Sequence, residues 1–468
     1  MRTLLILLLA TASVTADPFK EIVRPVFAKH CVKCHGQDGK LKGKVNLLQL
    51  KNGKQLSAQP EFIQDLIAVL DAGDMPPESE PALESKTRDR LVKELKAMLN
   101  AAVGTTKSLA HTPIRRMNRF QYNNAVQDLF QLNIDVFALP ERMMREHGVY
   151  FRPETGKMPD QVKVGSRPLG KSQLIGKRLH GVAPFPQDLR AEHGFDNRGD
   201  HLTLSPLLLE SFFRLSQSIL DSDDFGPKSC GIWKQFFAEP AGAGDLPGTI
   251  RERLQPFLVR AFRGPVTREI VDRYALQATR RIEAGESFTA AMKGVAAAAM
   301  CSPRFLYLFD GAGSGTGVEE LTGLELASRL SFFLWGSGPD EALLAVAQDG
   351  RLREPAMLEE QVDRLLRDRK MKRFTDSFPA QWLQLERIIS SVPDQQRYPG
   401  FYFAKYRLSM HMMLEPLLLF ETILVENRPI LDLIDSDYSY RSAALANWYG
   451  DQGRTKVRTP PTTIPFDR

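Results

Sequence analysis

Cys31-Val32-Lys33-Cys34-His35 is the stretch on which the reading of this chain turns. Two cysteines three apart, with a histidine directly after the second, have the spacing of a c-type haem attachment site. On one helical turn, positions i and i+3 share a face. Both sulfurs can then form thioethers with the two vinyl groups of a single haem. His35 follows at once and turns its imidazole under the iron as the proximal ligand. The sixth position asks for a soft or nitrogen donor from elsewhere. The candidate is Met75, forty residues after His35, in Gly73-Asp74-Met75-Pro76-Pro77. Its two prolines stiffen the backbone just past the sulfur. A thioether opposite a histidine raises the reduction potential and suits electron transfer. The other reading of Met75 is a core methionine, the commoner fate of that residue. His30 could compete as a ligand, but it falls on the wrong side of the attachment helix and is expected at the surface or the haem edge.

Two other chemistries use the CxxC spacing. Half of a zinc site needs a second ligand pair, and the remaining cysteines, Cys230 and Cys301, stand alone. A dithiol redox pair is expected near a βαβ pattern, which the chain lacks. The first sixteen residues agree with haem. Arg2 gives a positive start, Leu4 to Ala10 an apolar run, and Val14-Thr15-Ala16 a small-residue cleavage site before Asp17. Residues 1–16 therefore read as an export signal, and covalent haem attachment in bacteria follows export. The expected location is periplasmic or secreted. In that oxidising compartment Cys230 and Cys301 are able to pair, although two buried free thiols are the preferred reading.

A length of 468 residues points to several domains, and 43% hydrophobic residues supply their cores. The net charge of +6 is spread along the chain, which argues against the clustered basic face of a nucleic-acid binder. No uninterrupted apolar run reaches the ~18 residues of a membrane span. The most apolar late segment, Met412 to Val425, is broken by Glu415 and Glu421.

Residues 17–103 read as short helices wrapped around one haem, the plan of a cytochrome c. Phe62, Ile63, Leu66, Ile67 and Leu70 recur at helical spacing, and Leu91 to Leu99 closes the unit as an amphipathic helix. Leu47, Leu48 and Leu50 offer apolar side chains to a haem face. Residues 104–225 form a helical domain interrupted by a long irregular insertion at 141–190, rich in Gly, Pro, Lys and Arg. Its first helix carries the stripe Met117, Phe120, Ala125, Val126, Leu129 and Phe130. Arg115, Arg116 and Arg119 crowd the start of that helix, where the dipole disfavours them, so carboxylates on another element are their expected partners. Ser205-Pro206 reads as an N-cap and N1 pair. Asp196, Asn197 and Asp200 could bind a cation, but turn residues capping the next helix are the preferred reading. A second helical domain spans 226–310. After the Gly/Ser-rich linker 311–317 a third spans 311–468, opening on the capping box Thr322-Gly323-Leu324-Glu325. No phosphate loop, GxSxG, HExxH or paired-carboxylate site is found. His111, His147, His180, His193, His201 and His411 are scattered.

Several of these stretches carry a resemblance. Cys31 to Gly36 with Met75-Pro76-Pro77, Arg116 to Asp128, Gly194 to Asn197, Arg260 to Val266 and Glu325 to Trp335 resemble planctomycete-type exported proteins. Those proteins fuse an N-terminal c-type cytochrome domain to helical domains of unknown function. The resemblance touches most of the chain and implies haem c, export and electron transfer; only the haem motif carries defined chemistry. Two departures stand out. The 141–190 insertion is longer than the family's usual link. The family also continues past this end into a further CxxCH domain, so a chain stopping at Arg468 reads as a fragment or a truncated gene.

The expected fold is mainly α: an N-terminal cytochrome c-like haem domain followed by all-helical domains. The expected function is that of an exported mono-haem c-type cytochrome, with Cys31 and Cys34 holding haem c and His35 and Met75 ligating its iron. Its partner would be a redox protein, with no nucleic acid and no transmembrane segment in the mature chain. The alternatives are a haem-linked periplasmic enzyme acting on small molecules or carbohydrates, for which no catalytic set is found, and a binding scaffold built on the helical domains.

Overall fold

The computed structural model describes residues 17–77, 79–105, 115–139, 150–165, 177–188, 194–199, 202, 205–242, 244–308, 321–399, 401, 408–450 and 463–467. The expected export signal, the 311–317 linker and Asp200 lie outside them, as do His111, His147, His193 and His201. The fold is mainly α, 61% helical with 4% strand. The chain divides into two compact units, Met1–His111 and Thr112–Arg468.

In the first unit three helical stretches follow end to end: Phe19–Val23, Arg24–Val26 and Phe27–Cys31. The outer two are wound wide, with i→i+5 bonds from Arg24 N–H to Phe19 O and from Val32 N–H to Phe27 O. Pro25 has no N–H to return to Glu21 and its ring crowds that carbonyl, which accounts for the loosened turn before it. Phe19, Val23 and Phe27, four apart, face inward. They meet Ile63 and Leu70 from Pro60–Asp71 and Leu91 and Leu95 from Ser85–Thr105 in one core.

The largest core of the second unit is fed by helices Arg119–Phe130, Pro206–Asp221, Leu246–Phe262, Arg268–Glu283 and Phe288–Met300. Each residue of the stripe read from Met117 to Phe130 is buried there. Asn118 and Gln121 form a capping box at the start of that helix, and Ser205 caps Pro206–Asp221 as expected. Of the three arginines, Arg116 pairs with a carboxylate far along the chain, Asp188, through Nη1–Oδ2 at 3.1 Å and a second, shorter contact. Arg115 donates to the Gln121 amide and Arg119 to the Phe185 carbonyl.

A second core gathers on Trp335, whose Nε1 donates to Leu365 O at 3.0 Å. Thr322 and Glu325 make the expected capping box for Gly323–Leu334. A third core surrounds Leu408–Val425. That helix is long and apolar enough, by length and composition, to cross a membrane, and 67% of it is buried inside the protein.

Among the described residues strand content is small, and both strand pairs are long-range. Arg115–Arg116 pairs antiparallel with Tyr307–Leu308, and Gln161–Gly165 with Thr463–Asp467. The second pair changes the reading of 141–190 as irregular, because Val162 and Val164 alternate inward from a regular strand. Its partner strand lies some three hundred residues away, where no local signal points to it. Cys230 and Cys301 are free thiols. Burial pushes Cys230 up to about 12.

His411 sits on Leu408–Val425 with Nδ1 2.7 Å from Ser442 Oγ. Burial pushes its imidazole down to about 4. The folded value lies below the ordinary ~6.5. The neutral ring therefore contributes stability above pH ~6.5 that is lost as pH falls towards 4. At ~1.4 kcal/mol per pH unit, this group alone is expected to cost the second unit ~3 kcal/mol over that window. Urea unfolding between pH 7 and 4 should show the loss in the wild type and flatten it in His411→Asn. The same acid slope in both proteins would rule His411 out as its source.

Candidate cofactor-binding site

The helix ending at Cys31 delivers the motif, and one further turn carries it to His35. Helix stops at Cys31, and Val32 to Cys34 continue as a turn held by Cys34 N–H and His35 N–H to Cys31 O at 3.2 and 3.1 Å. The i+3 relation of the two sulfurs survives because that turn is equally tight. Gly36 follows at φ +143°, and a Cβ there would stand 2.7 Å from Asn46 Oδ1 and 2.9 Å from Leu48 Cγ. Only glycine lets the chain pass so close, and the passage brings Leu47 N–H to His35 O at 2.8 Å. The backbone of the histidine is thereby anchored on both sides.

Met75 arrives from the other direction. Gly73, at φ +78°, ends Pro60–Asp71, and Met75 N–H returns to Val69 O at 3.3 Å. Met75 is 36% exposed, so it is not the core methionine of the alternative reading. Cys31, Cys34, His35 and Met75 line one cleft. Its walls are apolar, drawn from Phe27, Phe62, Leu66, Val69 and Leu70. The cleft encloses about 250 Å³. His30 lines it too. Leu47 lines it and Leu50 joins the core, whereas Leu48 lies on the surface at 55% exposure.

Burial pushes the Cys31 thiol up to about 11, so it stays protonated. His35 Nδ1 is buried without a hydrogen-bond partner. An imidazole nitrogen left so is costly unless the ring serves something beyond the fold. Lys33, inside the motif, meets Glu80, just past the methionine loop, at 2.7 Å. That hydrogen bond and the charge of Glu80 raise the Lys33 pKa. The pair joins the motif to the segment just past Met75. Among the described residues no three His, Cys, Asp or Glu cluster as a metal site.

A second cleft, in the second unit, has no counterpart in the motif reading. It encloses about 400 Å³. Asn118 and Gln121, then Phe195 and Asp196, then Arg329 and Phe333 reach it from three of the stretches that carry the family resemblance. Arg373 to Gln381 closes the fourth side. The only signal for it in the sequence is that those stretches are polar and aromatic without carrying chemistry of their own. Asp196, weighed as a cation ligand, instead accepts from Asn118 Nδ2 at 2.9 Å.

Comparison with known families meets the second unit alone. Residues 115–143 and 172–222 match PSD3, residues 249–310 match PSD5, and residues 321–450 match PSD4, each described as a protein of unknown function (DUF1587, DUF1595 and DUF1592). The gap inside the PSD3 match, 144–171, falls within the 141–190 segment. No curated protein and no solved structure matches the chain. The chain thus carries the planctomycete-type PSD domains of unknown function, in the order PSD3, PSD5, PSD4.

Proposed function

We propose that residues 17–103 are the haem c domain of an exported mono-haem cytochrome whose work is electron transfer. The observation that supports the reading is the convergence of the Cys31, Cys34 and His35 motif with Met75, forty residues further on, on one apolar cleft. Cys31 and Cys34 would hold the group through thioethers, with His35 as proximal and Met75 as distal ligand. Bound there, a haem supplies one-electron exchange at its exposed edge, at a potential raised by the thioether–imidazole pair. The chain's own residues do the rest. Phe27, Phe62 and Leu66 keep water from the buried face, Gly36 and Leu47 fix the height of His35, and the Lys33–Glu80 pair holds the methionine segment against the motif. The partner is a redox protein of the periplasm or the medium, as the sequence of residues 1–16 suggests.

The reading is tested on material exported by a host that matures c-type cytochromes. The wild type should give a pyridine haemochrome of c type and a long-wavelength sulfur–iron band in its oxidised spectrum. Met75→Ala should keep the haemochrome, lose that band and show a lower midpoint potential. An unchanged band removes Met75 as the distal ligand, and absence of porphyrin from the wild type overturns the reading.

A further inference from the structure

Resting on the haem reading, we propose that residues 36–48, the loop folded against the motif, are the docking face for the redox partner, and that the partner meets it with carboxylates around an apolar centre.

The apolar centre is set by what the fold leaves in water. Among the described residues of the first unit, the large hydrophobic side chains left exposed are Leu41, Leu48 and Met75, at 52%, 55% and 36%. Met75 is itself a proposed ligand, and the two leucines adjoin another. Leu41 pairs with His35 in an antiparallel bridge. Leu48 packs on Gly36, its Cγ 2.9 Å from where a Cβ would stand there. One exposed leucine is ordinary. All of a unit's exposed large hydrophobics gathered beside one cleft mark a surface that another molecule covers.

Charge selects that molecule. Residues 29–54 carry seven lysines and one carboxylate, Asp38. Residues 60–84, which hold Met75, carry seven carboxylates and no lysine or arginine. The first segment gives the cleft His35, Gly43 and Val45, and the second gives it Leu66, Val69 and Met75. The cleft therefore has one basic and one acidic flank. Lys40, Lys42 and Lys44 alternate along the loop, are exposed, and meet no carboxylate at ion-pair distance among the described residues. The loop is fixed to the motif, with Lys42 N–H donating to Cys34 O at 3.1 Å.

A lysine rim of this kind draws in an acidic partner and orients it. The acidic flank turns the same partner away from the methionine side. An electron carrier must bind and leave quickly, and redox encounters bury little surface. Two leucines inside a basic rim suit that need.

Calorimetric titration of the exported, haem-loaded full chain with an oxidised flavodoxin, a small acidic redox protein, tests the docking face by binding alone, without electron transfer. Affinity should fall by about tenfold or more as ionic strength rises from about 0.01 to about 0.15 M. Lys40→Glu with Lys42→Glu should weaken binding by about tenfold at the lower ionic strength. Lys86→Glu with Lys93→Glu makes the same change in net charge at exposed positions of Ser85–Thr105, off the face that buries Leu91, and should weaken it by about twofold or less. Leu41→Ser should weaken it by about threefold at both ionic strengths. Lys40→Gln with Lys42→Gln supplies a milder arm should charge reversal disturb the far-UV or haem spectrum. A wild type without porphyrin fails the haem reading and this inference with it. A haem-loaded wild type that does not bind or whose affinity ignores salt, or equal losses in the two lysine pairs, overturns the docking face alone, and Leu41→Ser without effect removes its apolar centre.

Discussion

A Cys31→Ser, Cys34→Ser double variant, exported in a host that matures c-type cytochromes, is expected to leave no porphyrin covalently attached to the chain. The wild type is expected to carry one. Each thioether needs its own sulfur, so each single variant should keep its haem through one bond and still resist acid-acetone extraction. Intact-mass analysis reads the difference as a porphyrin adduct present, singly linked or absent. The effect should reach the fold as well. The first unit has a small core, with Leu47 and Leu70 at the boundary between it and the cleft. Domains of this size gain stability from any group that fills such a space. The double variant should therefore unfold in a broader transition at lower denaturant. A porphyrin adduct that survives in the double variant would sink both the attachment assignment and the readout built on it.

Lys372→Met is expected to lower the unfolding free energy of the second unit by ~3–5 kcal/mol, the largest single-residue effect foreseen there. Lys372 Nζ contacts Glu421, whose side chain is fully buried, and reaches Asp376 Oδ1 at 2.7 Å. Tyr150 O–H donates to the same Glu421 carboxylate at 2.9 Å. The ammonium also lies over the rings of Tyr150 and Phe151 at 5.7 and 5.4 Å. Removing the cation leaves a carboxylate in a site that excludes water. Lys372→Met with Glu421→Leu should regain part of the loss, because the apolar pair needs no compensation while Asp376, its side chain 16% exposed, still loses its cation. Chemical denaturation of the four proteins closes the cycle. A loss below ~1 kcal/mol for Lys372→Met would show that the pair is solvated in a way its burial does not suggest.

Capping signals were legible because they act within one turn. Thr322 and Glu325, and Ser205 and Pro206, stand where the sequence places them. Local backbone groups are satisfied by neighbours three residues away, whatever the rest of the chain does. The inward stripe from Met117 to Phe130 was legible for a related reason: the helical period alone decides which residues share a face. The partners of the arginines were not. Arg116 finds Asp188 only because the segment ending there is folded back over the start of Arg119–Phe130.

The candidate sites divide along the same line. Cys31, Cys34 and His35 could be named from spacing, since the chemistry they suit is set by adjacency. Met75 could be named from its loop, but that it shares a cleft with His35 depends on Gly73 turning the chain and on Leu47 holding the histidine backbone. The phenylalanine-lined cleft of the second unit could not be named at all. Its walls come from near residues 118, 195, 333 and 378, and none of those stretches is a site by itself.

From its order of residues alone this chain specified its mainly helical character, several helix starts, and one compact motif suited to a covalently held cofactor. Such features depend on contacts within a few residues. The strand pairs, the buried Lys372–Glu421 contact and both clefts were decided by tertiary structure. They join segments separated by tens to hundreds of residues, and loop closure of that length is repaid only when whole cores assemble around it.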